Sequence, residues 1–81
     1  MRLPRDLSAS QFIKLLEALG YTVSRQSGSH IRLTTLRNGE HHVTIPNHAS
    51  LRLGTLNSVA ADIAEHLSIK KSDLMAELFG K

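Results

Sequence analysis

The fold of this chain is organised around one stretch, Arg25-Gln26-Ser27-Gly28-Ser29-His30-Ile31-Arg32-Leu33. Gly28 and the serines beside it are turn-forming residues, and strand-forming residues lie on both sides, so the stretch predicts a β-hairpin. The hairpin places His30 where the turn becomes a strand, with Arg25 and Arg32 nearby. A polar residue at a strand start is usually just solvated, so a functional role for His30 depends on what surrounds it.

A helix is predicted before the hairpin. Ser8 and Gln11 have the spacing of a capping box, and Gly20 is placed to end the helix in a left-handed conformation. The apolar stripe between them has helical spacing and consists of Phe12, Leu15, Leu16 and Leu19. Tyr21, directly after the helix, is expected to pack inward.

Three strands are predicted, over 21–26, 30–35 and 41–45. A two-residue Asn-Gly turn between the last two strands would put apolar residues on opposite faces of the sheet. A three-residue loop, Arg37-Asn38-Gly39, with Gly39 left-handed after a type I turn, keeps them together. Because the buried face sets the register, we predict the three-residue loop. The resulting pairs are Leu33 with Val43 and Ile31 with Ile45.

This register predicts a sheet with one apolar and one polar face. Val23 belongs to the apolar face if the first strand pairs with the second. The polar face is expected to carry Thr22, Ser24, Gln26, His30, Arg32, Thr34, His42, Thr44 and Pro46. A polar face with arginine and histidine beside a turn suits a phosphate chain, although an ordinary solvated surface is the alternative.

Two further helices are predicted after the sheet. Pro46 ends the last strand, and a helix opens at Leu53-Gly54-Thr55. Ser68-Ile69 is a break, and Lys70 or Ser72 begins a last helix that Gly80 ends. We therefore predict a single α+β domain over 1–81, with order α-β-β-β-α-α and helices on one face of a small antiparallel sheet.

Composition favours a soluble protein of a reducing compartment. The chain has 81 residues, no cysteine and a net charge of +3, which suits the cytoplasm and tolerates an anionic partner. No apolar run is long enough to span a bilayer, so we expect no membrane association. The basic character concentrates on the strands, because Glu40 is the only acid between residues 22 and 49.

Neither a metal site nor a serine hydrolase is expected. Four histidines lie within nineteen residues, at positions 30, 41, 42 and 48. His41 and His42, however, alternate across a strand and cannot both face one ion, and no cysteine is present. The G-x-S-x-G motif is also missing. We therefore predict no metal and no cofactor.

Five short motifs occur in the order seen in HicA toxins. They are Leu3-Pro4, Leu19-Gly20-Tyr21, Gly28-Ser29-His30, Pro46-Asn47-His48 and Gly54-Thr55-Leu56. Over nearly its whole length the chain thus resembles the HicA family. The resemblance implies a double-stranded-RNA-binding-domain-like fold and an mRNA interferase of a type II toxin–antitoxin system. It also implies that His30 is essential for cleavage and that a HicB-type antitoxin silences the toxin.

Two features depart from the family pattern. Ser27 stands where family members often carry a lysine, which removes one cation from the site. The stretch Ala64-Glu65-His66-Leu67 adds a helical turn compared with compact members.

These observations predict a slow, metal-independent endoribonuclease in which His30 is the general base for the RNA 2′-hydroxyl. Backbone N–H groups of Gly28 and Ser29, with Arg25 or Arg32, are expected to stabilise the phosphorane charge. Gln26 and His48 are further candidates for contacting RNA.

Two alternatives remain, a non-catalytic RNA-binding module of the same fold and an adaptor that binds only protein. The antitoxin is expected to cover the His30 face, drawn by Arg25, Arg32 and Arg37.

Overall fold

A computed structural model describes residues 6–80 of the chain and shows the predicted α+β fold. The helices are α1 (Ala9–Ala18), α2 (Leu53–Leu67) and α3 (Lys71–Phe79), and the strands are β1 (Thr22–Ser27), β2 (His30–Thr35) and β3 (His41–Pro46). The Leu3-Pro4 motif lies outside the described residues. Within those residues, no helix combines the length and the apolar character that crossing a bilayer requires.

Both ends of α1 follow the prediction. The Ser8 hydroxyl accepts a hydrogen bond from the Gln11 N–H, and the Gln11 side chain accepts one from the Ser8 N–H, at 3.1 and 2.9 Å. Gly20 has φ +102°. The N–H groups of Gly20 and Tyr21 donate to the carbonyls of Glu17 and Leu16, which is the Schellman arrangement that a glycine permits. This end of α1 directs the chain into β1 and buries Tyr21 completely.

The sheet is antiparallel in the order β1-β2-β3, and the predicted register of β2 and β3 is confirmed. Leu33 lies opposite Val43 and Ile31 opposite Ile45. These pairs are buried against the helices. The alternation of apolar residues on both strands therefore sets this register, as a one-residue slip would expose all of them.

The loop between β2 and β3 differs from the prediction. The paired residues end at Thr35 and His41, so five residues connect the strands instead of three. The Gly39 N–H donates to the Leu36 carbonyl at 3.2 Å, and Asn38 has positive φ as well as Gly39. Positive φ at the third turn position is typical of a type II turn and not of type I. The Asn38 amide donates to the His66 carbonyl at the end of α2.

Strand β1 contains a bulge that the prediction missed. Val23 pairs with Leu33 and Arg25 with Arg32, so Ser24 is the extra residue. Beyond the bulge every side chain changes face. Gln26, predicted on the polar face, is instead paired with Ile31 on the apolar side. Val23 is on the apolar side as predicted, but it is 44% exposed because β1 is an edge strand.

One hydrophobic core lies between the sheet and the three helices. It comprises Ala9, Phe12, Leu16, Leu19, Tyr21, Ile31, Leu33, Val43, Ile45, Leu51, Leu56, Val59, Ala60, Ile63, Ala64, Leu74, Met75 and Leu78. The predicted break after α2 is confirmed, since Ser68 is in the left-handed conformation. The stretch Ala64-Glu65-His66-Leu67 is part of α2, and α3 begins at Lys71, between the two predicted starts.

Candidate functional site

The face of the sheet directed away from the core carries three rows of side chains, which the strand pairing defines. The first row is Ser27, His30 and Pro46, the second is Arg25, Arg32 and Thr44, and the third is Thr22, Thr34 and His42. Ser24 joins the third row, because its hydroxyl lies 2.7 Å from that of Thr34. We call this surface of ten residues the open face.

His30 lies in the first row, at the end of the sheet where the turn connects β1 to β2. It pairs with Ser27 on one side and Pro46 on the other, and its side chain is exposed. Gly28 makes the turn possible with φ +54°, since positive φ at the first central residue is typical of a type II′ hairpin. The Ser29 hydroxyl lies 3.3 Å from Nδ1 of His30. Within the described residues, Nε2 of His30 has no hydrogen-bond partner.

The second row places two cations directly opposite each other. Arg25 pairs with Arg32 across β1 and β2, and both side chains are exposed. No carboxylate within residues 6–80 forms a salt bridge with either guanidinium. Like charges opposite each other destabilise a sheet, so this row favours a bound anion. It lies two residues from His30, or about 7 Å along the strand.

The loop after β3 lies against the same turn. The Asn47 N–H donates to the Ser29 carbonyl at 2.7 Å, and the His48 carbonyl accepts from the N–H of Ala9 at the start of α1. The structure therefore brings the backbone of His48 to the His30 end of the sheet. The His48 side chain is exposed and makes no hydrogen bond within the described residues.

Two of the residues expected around His30 lie elsewhere. The bulge turns Gln26 to the apolar side of the sheet, although its side chain remains exposed at the edge. Arg37 lies at the opposite end of the sheet, where its guanidinium donates to the Leu19 carbonyl at 3.2 Å. The cationic surround of His30 therefore consists of Arg25 and Arg32 alone among the three predicted arginines.

His41 and His42 project to opposite faces, as predicted. His41, on the core side, contacts the Tyr21 hydroxyl at 2.8 Å and the Asp62 carboxylate at 3.1 Å, and its ring stacks on His66 with centroids 4.3 Å apart. The pKa of Tyr21 is raised to about 12, chiefly by burial and then by Asp62, with Arg37 acting in the opposite direction. This cluster joins β3 to α2 and lies apart from His30.

His42 forms a polar network on the open face that the sequence analysis missed. Its Nε2 lies 2.8 Å from the Glu40 carboxylate, and its Nδ1 lies 2.7 Å from the Thr34 hydroxyl. A carboxylate only accepts hydrogen bonds, so the proton is on Nε2. The sequence feature that could have indicated this network is Glu40, the only acid of the strand region, which lies two residues before His42.

No group of three or more histidine, aspartate or glutamate side chains within residues 6–80 is arranged to hold a metal ion. The residues that converge on the open face are instead the exposed imidazole of His30, the half-buried imidazole of His42, two guanidiniums and several hydroxyls. This chemistry suits phosphate binding and proton transfer.

Comparison with known proteins gives one match. The model of a protein family described as "HicA toxin of bacterial toxin-antitoxin" matches residues 9–65, which include all of β1, β2 and β3 and therefore the entire open face. No curated protein and no solved structure matches the chain.

Proposed function

The chain belongs to the HicA toxin family of bacterial toxin–antitoxin systems, and on that premise we propose that it is a metal-independent endoribonuclease with His30 as general base. The observation that supports this proposal most directly is the first row of the open face. The exposed imidazole of His30 lies about 7 Å from Arg25 and Arg32 in the next row, and within residues 6–80 neither its Nε2 nor either guanidinium contacts a carboxylate.

In the proposed mechanism, RNA lies on the open face with its phosphates at Arg25 and Arg32. Guanidinium groups present several N–H donors in a plane that matches phosphate oxygens. The backbone N–H groups of Gly28 and Ser29 donate to no backbone carbonyl within the described residues. They are therefore available to the scissile phosphate as the negative charge on its oxygens grows.

Ser29 sets the tautomer of His30 in this mechanism. When Nδ1 carries the proton and donates to the Ser29 hydroxyl, Nε2 holds a lone pair directed to the substrate. Nε2 takes the proton of the 2′-hydroxyl, and the 2′-oxygen attacks the adjacent phosphorus. The P–O5′ bond breaks, and the 5′-oxygen takes a proton from water. The products are a 2′,3′-cyclic phosphate and a 5′-hydroxyl.

The decisive experiment compares wild-type protein with His30→Ala on labelled single-stranded RNA, in the presence of EDTA. We expect cleavage by the wild type and none by the variant. A single positioned base contributes roughly 10²–10⁴-fold. The free energy of unfolding of the variant should lie within about 0.5 kcal/mol of the wild-type value, because His30 is exposed. Equal cleavage by both proteins would contradict the assignment, and loss of wild-type cleavage in EDTA would reveal a metal requirement.

The same assay separates the two alternatives. Binding of RNA by the wild type without cleavage would identify a non-catalytic RNA-binding module. Absence of RNA binding at low salt, where phosphate contacts are strongest, would instead favour a protein-binding adaptor.

HicA toxins pair with an antitoxin, and we place the antitoxin on the open face in this proposal. Covering His30 and the arginine row would block catalysis and RNA binding together. An acidic, HicB-type partner with an interface of about 1,200–2,000 Å² fits this surface. Arg32→Glu should then slow association of the complex. Hydrogen-exchange protection confined to α3, with β2 unprotected, would show that inhibition acts from elsewhere.

A further inference from the structure

The third row of the open face holds an imidazole whose two nitrogen atoms are both engaged. Nε2 of His42 donates to Glu40, and Nδ1 accepts from the Thr34 hydroxyl, which in turn contacts the Ser24 hydroxyl. The ring is thereby held from two sides, across two strands and the loop that precedes β3. A base whose lone pair already accepts a hydrogen bond is poorly placed to take a further proton. We therefore do not expect His42 to act as a general base in the way proposed for His30.

What His42 presents to a ligand is therefore its ring. The side chain is 34% exposed. His30 and His42 carry the only aromatic rings among the ten residues of the open face, because Tyr21 is buried and both phenylalanines belong to the helices. Proteins that bind single-stranded RNA on a sheet obtain base contacts by stacking bases on rings, histidine included.

The charge beside His42 argues for a base and against a phosphate. Glu40 is 66% exposed and is the only acid between residues 22 and 49. Its carboxylate repels a phosphate and accepts hydrogen bonds from the N–H groups of a base. The phosphate-binding arginines occupy the row between His42 and His30. Charge along the open face thus changes from cationic near His30 to anionic beyond His42.

We propose that His42, held by Glu40 and Thr34, is a specificity-determining residue that stacks on a nucleobase away from the cleaved bond. The inference rests on the proposed function. His42 lies four residues along the strands from the His30 row, about 13 Å. The stacked base therefore belongs to a nucleotide beyond the one that His30 attacks.

The test uses two replacements that separate stacking from polar structure. His42→Phe keeps a ring but loses both hydrogen bonds. His42→Gln keeps donor and acceptor groups for Glu40 and Thr34 but has no ring. Both are made in the His30→Ala chain, so that RNA stays intact. Affinity for short oligoribonucleotides of uridine, cytidine or adenosine is measured, and Lys71→Gln, on the exposed start of α3, is the control for a remote change.

We expect His42→Gln to bind the oligoribonucleotides at least about five-fold more weakly than the His30→Ala chain does. This difference corresponds to the lower end of base-stacking energies. His42→Phe should bind like the parent. In the cleaving protein, His42→Gln should redistribute the cleavage sites on a mixed-sequence RNA, while His42→Phe retains the preference for a base at one fixed position.

Several outcomes would overturn the inference. Weaker binding by His42→Phe with parental binding by His42→Gln would show that the network only supports the sheet. Parental affinity and unchanged cleavage sites for both variants would show that no base contacts His42. The wild-type cleavage assay distinguishes these results from failure of the proposed function, in which the wild-type protein does not cleave RNA.

Discussion

At the scale of single residues, the five histidines of the chain differ in what their rings contact. His41, His42 and His66 each bond to a carboxylate or to backbone carbonyls, which fixes a proton on Nε2. Within the described residues, His30 has only the hydroxyl of Ser29 as a partner. Within the same residues Nε2 of His30 has no hydrogen-bond partner, in contrast to Nε2 of those three histidines.

Ser29→Ala tests the contribution of this hydroxyl to catalysis. We expect cleavage to slow by about two- to ten-fold, since the variant loses one hydrogen bond of about 0.5–1.5 kcal/mol to Nδ1. The initial rate on labelled RNA measures the effect. Ser27→Ala is the matched control, because Ser27 also lies beside His30 but its hydroxyl makes no bond to the ring. Equal rates for the two variants would remove Ser29 from the mechanism.

Tyr21→Phe tests the polar cluster on the core side. Near neutral pH the variant should be less stable by about 1 kcal/mol, because it loses the hydrogen bond to His41. The folded-state pKa of Tyr21, about 12, lies above its ordinary value of 10.0. The unfolded chain therefore loses the tyrosine proton first, and wild-type stability falls as the pH rises from 10 to 12.

The phenylalanine variant has no such ionisation, so its stability deficit should shrink over the same alkaline range. Urea unfolding of both proteins at neutral pH and at about pH 11 measures the difference. A deficit that stays constant with pH would mean that Tyr21 titrates alike in the folded and unfolded chains.

At the scale of elements, the bulge in β1 decides which charges meet on the open face. Arg25→Glu converts the like-charged pair with Arg32 into an opposite pair. We expect the free energy of unfolding to rise by about 0.2–1 kcal/mol, and on the proposed function RNA affinity should fall because the variant loses a cation of the open face. Gln26→Glu introduces the same side chain one residue further, on the other side of the sheet.

The free energy of unfolding in urea and the affinity for RNA are measured for both Arg25→Glu and Gln26→Glu. The Gln26 variant should show no stabilisation, since Ile31 and not Arg32 is its partner. Stabilisation by Gln26→Glu but not by Arg25→Glu would mean that β1 has the regular register without a bulge.

This bulge marks the limit of what the sequence could predict about the elements. The pairing of β2 with β3 was predictable because Ile31, Leu33, Val43 and Ile45 alternate and must be buried together. Strand β1 offers only Val23 as an apolar residue, and every residue of the strand is exposed. With no buried set to specify it, its register depends on local hydrogen bonds such as those of Ser24. The hydrogen bonds of His42 could not be predicted because they depend on the register of β1, β2 and β3 together.

At the scale of the whole molecule, the core extends beyond the part of the chain that the family model matches. That match ends at residue 65, yet α3 buries Leu74, Met75 and Leu78 in the same core. Helix α3 is therefore expected to unfold together with the rest of the structure.

Leu74→Ala tests this cooperativity. The free energy of unfolding of the variant should be lower by about 2–5 kcal/mol. For a chain of this length the total free energy of unfolding is about 4–12 kcal/mol. Urea unfolding followed by circular dichroism should show one transition at a lower midpoint with an unchanged slope. Lys71→Ala, at an exposed position of the same helix, is the control. A second, separate transition would show that α3 melts independently of α1 and the sheet.

The bulge at Ser24 has a consequence for how copies of the protein behave beside one another. Strand β1 is the edge of the sheet, and a regular edge presents donors and acceptors at the spacing that a neighbouring chain needs to extend the sheet. The extra residue interrupts that spacing in mid-strand. Extension of the sheet by a second copy of the chain, the first step of fibril-like growth, is thereby disfavoured at this edge although no other strand covers it.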